Sequence, residues 1–316
     1  MDDTSDHSSG FIALVGPPNA GKSTLLNAIL KRKISIVSPK PQTTRNRVLG
    51  IKDGKNYQMI FLDTPGFFNP PAGKRKSSKA LGDFLKKELK ECLQGIDITV
   101  LVVDGKRLLN EVRHLSDVIE ILNKSGVTSP DVIAINKIDS LDAKELLPLM
   151  KSLYEQFMTD STRTTDIEII PLSAKNGDGL KQLERVLLNR LPKGVQYFPE
   201  GQSTDQTDEK LASEIIREKL FLNLNDELPY SIAVRIESWV DEGKLSKISA
   251  VISVERDSQK AIVIGAAGVK LKAVGTAARK DLERVFGNKV FLQLFVKVEE
   301  NWTESERGLR RAGIGG

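Results

Sequence analysis

Gly16-Pro17-Pro18-Asn19-Ala20-Gly21-Lys22-Ser23 is the stretch that decides the fold. It fits the pattern G-x-x-x-x-G-K-[ST]. A short apolar run, Phe11–Val15, precedes it, and helical spacing over Lys22–Lys31 follows. Strand, glycine-rich loop and helix therefore come in the order a phosphate cradle needs. Glycines let the backbone curl until its N–H groups face inward, and the helix adds the positive end of its dipole. In such a loop Gly16, Asn19, Ala20 and Gly21 surround the phosphates, and Lys22 reaches the β- and γ-phosphates. Ser23 ligates Mg²⁺, and Thr24 lies beside it.

Working outward, short apolar segments alternate with helical ones as far as about Arg190. Gln58–Leu62, Ile98–Val103, Val132–Ile135 and Glu168–Pro171 read as buried parallel strands, with a further strand near Val48–Ile51. Leu81–Leu93, Arg107–Asn123, Ala143–Phe157 and Leu180–Leu191 carry helical spacing. The expected fold is α/β, a doubly wound, mostly parallel sheet with helices on both faces.

Three more short motifs follow strands in this half. Asp63-Thr64-Pro65-Gly66 puts a carboxylate at a strand end, where it can hold a water of Mg²⁺, and Gly66 can bring an N–H to a γ-phosphate. Asn136-Lys137-Ile138-Asp139 offers a carboxylate that accepts from both N1–H and the 2-amino group of guanine. Adenine lacks that amino group, and such pairing discriminates by roughly 10⁴-fold. Lys137 can lay its aliphatic stem over the base. Ser173-Ala174-Lys175 can turn a backbone N–H toward guanine O6. Ligands bind at the carboxyl edge of open α/β sheets, and all four motifs fall there. GTP or GDP with Mg²⁺ is the expected ligand. A P-loop kinase or ATPase would not carry the Asp139 motif.

Pro192 and Gly194 end the last helix, and Lys193–Asp208 is rich in Gly, Pro, Ser, Thr and Gln. The expected organisation is a nucleotide domain over 1–192, a linker over 193–208, a second domain over 209–300 and a tail over 301–316. In the second domain Glu209–Leu220 reads as a helix. Ser231–Val240 and Ser246–Glu255 read as a hairpin about Asp241–Lys244. Helical spacing runs from Lys260 to Phe286, broken at Gly265–Gly268, and Val290–Val298 closes the unit as a strand. Helix, strand, strand, helix, helix, strand is the order of a type II KH domain, an α+β RNA-binding fold. Its Gly-x-x-Gly turn is Gly265-Ala266-Ala267-Gly268, preceded by Ile262-Val263-Ile264. Such a turn lets a nucleic-acid backbone approach a helix N-terminus. Ile264 would help line a groove for about four bases. KH loops commonly carry a basic residue between the glycines, and none is present here. Phosphate attraction then falls to Lys270 and Lys272, with Arg279 and Lys280 behind them.

Bulk composition excludes several classes. The single cysteine, Cys92, rules out an intrachain disulfide framework, and His7 and His114 are too far apart in sequence to suggest a metal cluster. No apolar run reaches the length of a membrane span, and the polar start is not a signal peptide. Net charge is +5, and residues 246–295 carry nine Lys+Arg against four Asp+Glu, which suits an anionic partner of the second domain.

The order GPPNAGKS, QTTR, DTPG, NKID, SAK, followed by the KH pattern and the ending ENWTESER, resembles the Era family of ribosome-assembly GTPases from Gly10 to Ile314. The resemblance implies GTP hydrolysis and binding of small-subunit (16S-type) ribosomal RNA near its 3′ end, with the GTP state gating RNA binding. It implies a bacterial cytoplasmic protein with peripheral contact at the inner membrane face, although no amphipathic anchor is evident. An organelle matrix or stroma after leader removal is the alternative location, and transfer RNA the alternative substrate. A monomer is expected. Ser38–Arg45 would form the first switch. Thr43 and Thr44 are both placed to reach Mg²⁺ in the GTP state, and the resemblance favours Thr44. Asn19 resembles the loop asparagine that holds K⁺ in related GTPases. Phe67 stands near where Ras-like enzymes carry a water-orienting glutamine, so slow intrinsic turnover is expected, with Lys22, Thr44 and Gly66 as the catalytic set. The basic run Lys74-Arg75-Lys76-Ser77-Ser78-Lys79 would sit in the second switch. Trp302 would pack on the KH sheet or stack on a base.

Overall fold

The computed structural model describes residues 7–40, 43–66, 84, 87, 89–110, 118–119, 122–123, 129–158, 167–224, 231–304 and 306–311. Phe67 and the basic run at 74–79 lie outside these residues, as do parts of the helices expected over 81–93 and 107–123. The chain divides into two compact units.

The first unit is built on β1 (Ser8–Val15), α1 (Lys22–Leu30), β2 (Val48–Gly54), β3 (Tyr57–Asp63), β4 (Ile98–Asp104), α2 (Gly105–Asn110), β5 (Val132–Asn136), α3 (Ala143–Met158), β6 (Glu168–Pro171) and α4 (Leu180–Arg190). The six strands lie in the order β2-β3-β1-β4-β5-β6. Every pairing is parallel except β2 with β3, where the short turn at 55–56 forces an antiparallel hairpin. Side chains of β1 alternate between two cores. Ile12 and Leu14 join Leu25, Leu26, Leu183 and Leu187 on one face. Ala13 and Val15 join Leu101, Val103 and Leu153 on the other. A strand buried on both faces must be apolar throughout, which is why this sheet reads as continuous runs.

Residues 193–205, expected as part of a linker, belong to the first unit. Tyr197 and Phe198 donate backbone N–H groups to Gln58 Oε1, both at 2.9 Å, and Gln58 Nε2 returns a bond to the Phe198 carbonyl. Gly201 N–H donates to Asp53, and Ile51 N–H to the Ser203 carbonyl. This strap satisfies part of edge strand β2, which would otherwise present unpaired backbone. The composition signalled turns correctly, but it did not show the contacts, those of Gln58 and Asp53 among them, that make those turns dock.

The second unit comprises α5 (Asp208–Asn223), β7 (Ala233–Glu242), β8 (Leu245–Val254), α6 (Asp257–Ile264), α7 (Val269–Phe286), β9 (Lys289–Val298) and a final short helix α8 (Glu306–Arg311). Strand order is β7-β8-β9, with β7 antiparallel and β9 parallel to β8. Thr207 caps α5 by accepting from Lys210 N–H, and Asp208 and Glu209 face the positive end of the helix. Its buried residues Leu211, Ile215, Ile216 and Leu220 pack with Ile248, Ile252, Val274 and Leu282. Burying each such side chain contributes about 1.5–3 kcal/mol before entropy is counted. Trp302 is buried with Ala233 and Leu309, so the tail covers one end of the sheet. Residues 36–43 belong to this unit by contact. Glu218 accepts from Val37 N–H, and Arg217 donates to the Thr43 carbonyl.

Candidate functional site

The loop after β1 turns through left-handed backbone at Asn19 (φ 64°) and Gly21 (φ 98°). A Cβ on Gly21 would lie 2.2 Å from Asn136 Nδ2, so the helix can begin there only with glycine. The buried Lys22 ammonium rests on the carbonyls of Gly16 and Pro17, at 2.9 and 3.0 Å. Burial lowers its pKa to about 8, with the nearby Asp63 carboxylate acting in the opposite direction. A cation with so little compensating charge is suited to an incoming polyphosphate.

Asp63 is fully buried at the end of β3. Desolvation raises its pKa, against the influence of Lys22 and hydrogen bonds from Ser23 and Ser35. Ser23 Oγ donates to Asp63 Oδ2 at 2.6 Å and lies 3.0 Å from Thr44 Oγ1. A hydroxyl has one proton, so Thr44 donates to Ser23 and Ser23 to Asp63. Thr43 is turned elsewhere: its hydroxyl meets Ser38 and the Lys40 carbonyl. Asp63 Oδ1 is buried without a hydrogen-bond partner. Two hydroxyls and a carboxylate with one unpartnered oxygen form the hard, oxygen-only donor set that Mg²⁺ takes. Thr64 anchors the following turn by donating to the Leu14 carbonyl, and Gly66 passes so close that a Cβ would meet Pro18 Cα at 2.9 Å.

At the ends of β5 and β6 the remaining motifs interlock. Asn136 Nδ2 donates to the Ala20 carbonyl at 2.8 Å, and its Oδ1 accepts from the N–H groups of Lys137 and Ala174. Ala174 N–H, in the motif expected to turn a backbone N–H toward guanine O6, is thus engaged by Asn136 here. Ser173 Oγ donates to Asp139 Oδ1 at 2.7 Å and aims that carboxylate. Lys137 Nζ bridges the Asn19 carbonyl at 2.7 Å and Asp104 Oδ2 at 2.6 Å, which stretches its stem along this sheet edge. Lys175 is exposed at the rim. Sequence reasoning missed Asp104, although a carboxylate ending β4 at the same sheet edge was a usable signal. It also missed Ser35 and Asn27, which no motif contains.

In the second unit, Gly265 (φ 73°, ψ 173°) and Gly268 (φ 76°) flank a tight turn between α6 and α7. Ala267 also takes a left-handed conformation (φ 48°), so the loop is sharply folded despite having two alanines. A groove of about 480 Å³ runs from Gly268 between α7 and β9. Leu271, Lys272, Gly275 and Arg279 form one wall, and Phe291 and Leu294 the other. Lys270 is exposed beside it, and Ile264 is half-buried at the loop's entrance. The β9 wall was not foreseen. Its signal was the large apolar residue at alternate positions of an edge strand, with Phe291 and Phe295 both half-exposed.

Fold and site together define a P-loop guanine-nucleotide-type domain joined to a type II KH domain. Residues 11–137 match the family described as 50S ribosome-binding GTPase, residues 82–193 the elongation factor Tu GTP-binding domain, and residues 227–303 the KH domain. GTPase Era of Pseudomonas fluorescens (strain Pf0-1) is 41% identical over 316 residues, spanning 100% of this chain and 99% of that one. GTPase Era of Pseudomonas putida (strain W619) is 42% identical over 97% of this chain and 96% of its own. Among solved structures, Era in complex with MgGDPNP and nucleotides 1506–1542 of 16S ribosomal RNA has a TM-score of 0.87 and 37% identity, covering 98% of this chain and 100% of that one. A point variant of Aquifex aeolicus Era bound to GDP·AlF4⁻ has a TM-score of 0.84 and 36% identity over the same shares. The chain belongs to the Era GTPase family. Among the described residues no single helix is long and apolar enough to cross a membrane.

Proposed function

We propose that this protein is a Mg²⁺-dependent GTPase whose KH domain binds small-subunit ribosomal RNA near its 3′ end, with the GTP state gating that binding during small-subunit assembly. It acts as a monomer in the cytoplasm. The observation that carries the nucleotide reading is the interlock of Asp139, Ser173 and Asn136 with the loop at Ala20. That interlock supports base recognition and phosphate binding at one sheet edge. The RNA reading rests on the groove beside Gly268 and on the Era relative solved with 16S RNA nucleotides.

In this reading Lys22 leaves the Gly16 and Pro17 carbonyls for the β- and γ-phosphates. Ser23 and Thr44 would offer their oxygens to Mg²⁺, with the Asp63 carboxylate behind them. The metal, when bound, neutralises charge between the phosphates. Gly66 senses the γ-phosphate through its N–H. No glutamine near Phe67 can orient the attacking water, so turnover without a partner is expected on the order of 10⁻⁴ to 10⁻² s⁻¹. The Asn19 side chain lies on the loop where a K⁺ ion would add charge stabilisation beside the phosphates.

Steady-state hydrolysis of GTP in matched KCl and NaCl buffers, with and without a hundredfold excess of ATP, tests this. GTP turnover should be faster in K⁺ and untouched by ATP. Equal rates in the two salts would remove the K⁺ role. Inhibition by ATP would overturn guanine selectivity.

A further inference from the structure

Asp63 is oriented by a residue that lies in none of the nucleotide-binding motifs. Ser35 is 2% exposed, and its Oγ donates to Asp63 Oδ2 at 2.8 Å. Ser23 Oγ donates to the same oxygen at 2.6 Å. Both protein donors therefore load Oδ2, while Oδ1 is buried and unpartnered. A carboxylate held this way presents one bare oxygen in a fixed direction.

Ser35 is itself held firmly. Asn27 Oδ1 accepts from the N–H groups of Ile34 and Ser35, at 2.9 and 3.0 Å, and Asn27 Nδ2 donates to the Ser35 carbonyl at 2.7 Å. Asn27 lies on α1, four residues after Ser23 and so on the same helix face. One helix thus carries the metal-binding hydroxyl and, through Asn27, the second donor to Asp63. Three hydrogen bonds to one side chain, that of Asn27, clamp this two-residue segment.

We infer that Ser35 is a positioning residue for magnesium: it fixes the Asp63 carboxylate so that Oδ1 faces the hydration shell of the ion held by Ser23. This rests on the Mg²⁺–nucleotide reading of the site. When Ser23 turns its oxygen to the metal, Ser35 remains as a donor to Oδ2 that the metal does not draw on. Without it the carboxylate can rotate, and the ion loses a preorganised partner.

The test uses the full-length protein loaded with a fluorescent, ribose-labelled GDP. Its release rate is followed while free Mg²⁺ is titrated, for wild type, Ser35→Ala and Ser35→Cys. Mg²⁺ should slow release from wild type. In Ser35→Ala the Mg²⁺ midpoint should rise by about tenfold or more, as expected for loss of one hydrogen bond to a charged group. Release in EDTA should stay within about twofold of wild type, because among the described residues the one nucleotide-motif side chain that Ser35 hydrogen-bonds is Asp63. Ser35→Cys keeps the size but donates weakly, and it should shift the midpoint in the same direction by less. An unshifted midpoint in either variant would overturn the role of Ser35. A wild type whose release ignores Mg²⁺ would instead overturn the metal reading on which it rests.

Discussion

Asp139→Asn is expected to shift nucleotide preference from guanine toward xanthine by a factor on the order of 10³ or more. The carboxylate can only accept, and guanine presents two donors, N1–H and the 2-amino group. An asparagine in the same place keeps one acceptor but turns an NH₂ donor toward the 2-position. Guanine then meets donor against donor in a site shielded by the Lys137 stem. Xanthine carries an oxygen at that position and becomes the matched partner. Ser173 donates to Asp139 at 2.7 Å and can donate equally to an asparagine oxygen, so the side chain should remain aimed at the base. Competition of GTP and XTP against a labelled nucleotide measures the ratio. An unchanged preference for GTP would mean that Asp139 does not read the base.

Lys22→Ala should lower GTP turnover by about 10²- to 10³-fold, the effect of removing one preorganised charge aimed at developing negative charge. The fold should survive, because among the described residues the ammonium's hydrogen bonds are to the Gly16 and Pro17 carbonyls, which water can reach once it is gone. The same lysine sets a pH dependence. Its pKa without phosphates is about 8, below the ordinary 10.5, and phosphates raise it. The nucleotide complex therefore binds more protons than the empty protein, so affinity is full below pH 8 and declines as pH rises through it. The empty domain moves the other way and gains stability between pH 8 and 10.5, because the unfolded chain holds the extra proton there. Isothermal titration with GDP from pH 7 to 9.5 reads the first effect. Lys22→Ala should flatten that profile, and a slope that persists in the variant would assign the proton elsewhere.

Much of this was legible in the sequence because a parallel sheet buries both faces. Phe11–Val15 and Val132–Ile135 could hardly be anything but central strands, and each motif sits where such a strand ends. The edge strand at Val48 was visible only faintly, since one side of it is covered by the strap at 197–204. That strap was read as linker because composition reports turns but not what they lie against. The choice between Thr43 and Thr44 could not be made from adjacent identical residues, whereas the backbone turns one toward Ser23 and the other toward Ser38. Asn27 and Ser35 belong to no pattern: their roles arise from a helix face meeting a returning chain. In the KH domain the Gly265–Gly268 turn announced itself, but the β9 wall of the groove did not. Alternation along β9 says which residues face out, not what they face.

The most direct test of the whole account is fluorescence anisotropy of a labelled small-subunit RNA 3′-end fragment. The protein would be loaded with a non-hydrolysable GTP analogue or with GDP, and Gly268→Asp would serve as the control. Gly268 has φ 76° and open space about its Cα, so an aspartate, which tolerates left-handed backbone, fits the fold and places a carboxylate where a phosphate should sit. Binding at least tenfold tighter with the GTP analogue, lost in Gly268→Asp, is the predicted result. Equal or absent binding in both nucleotide states would contradict a nucleotide-gated KH domain.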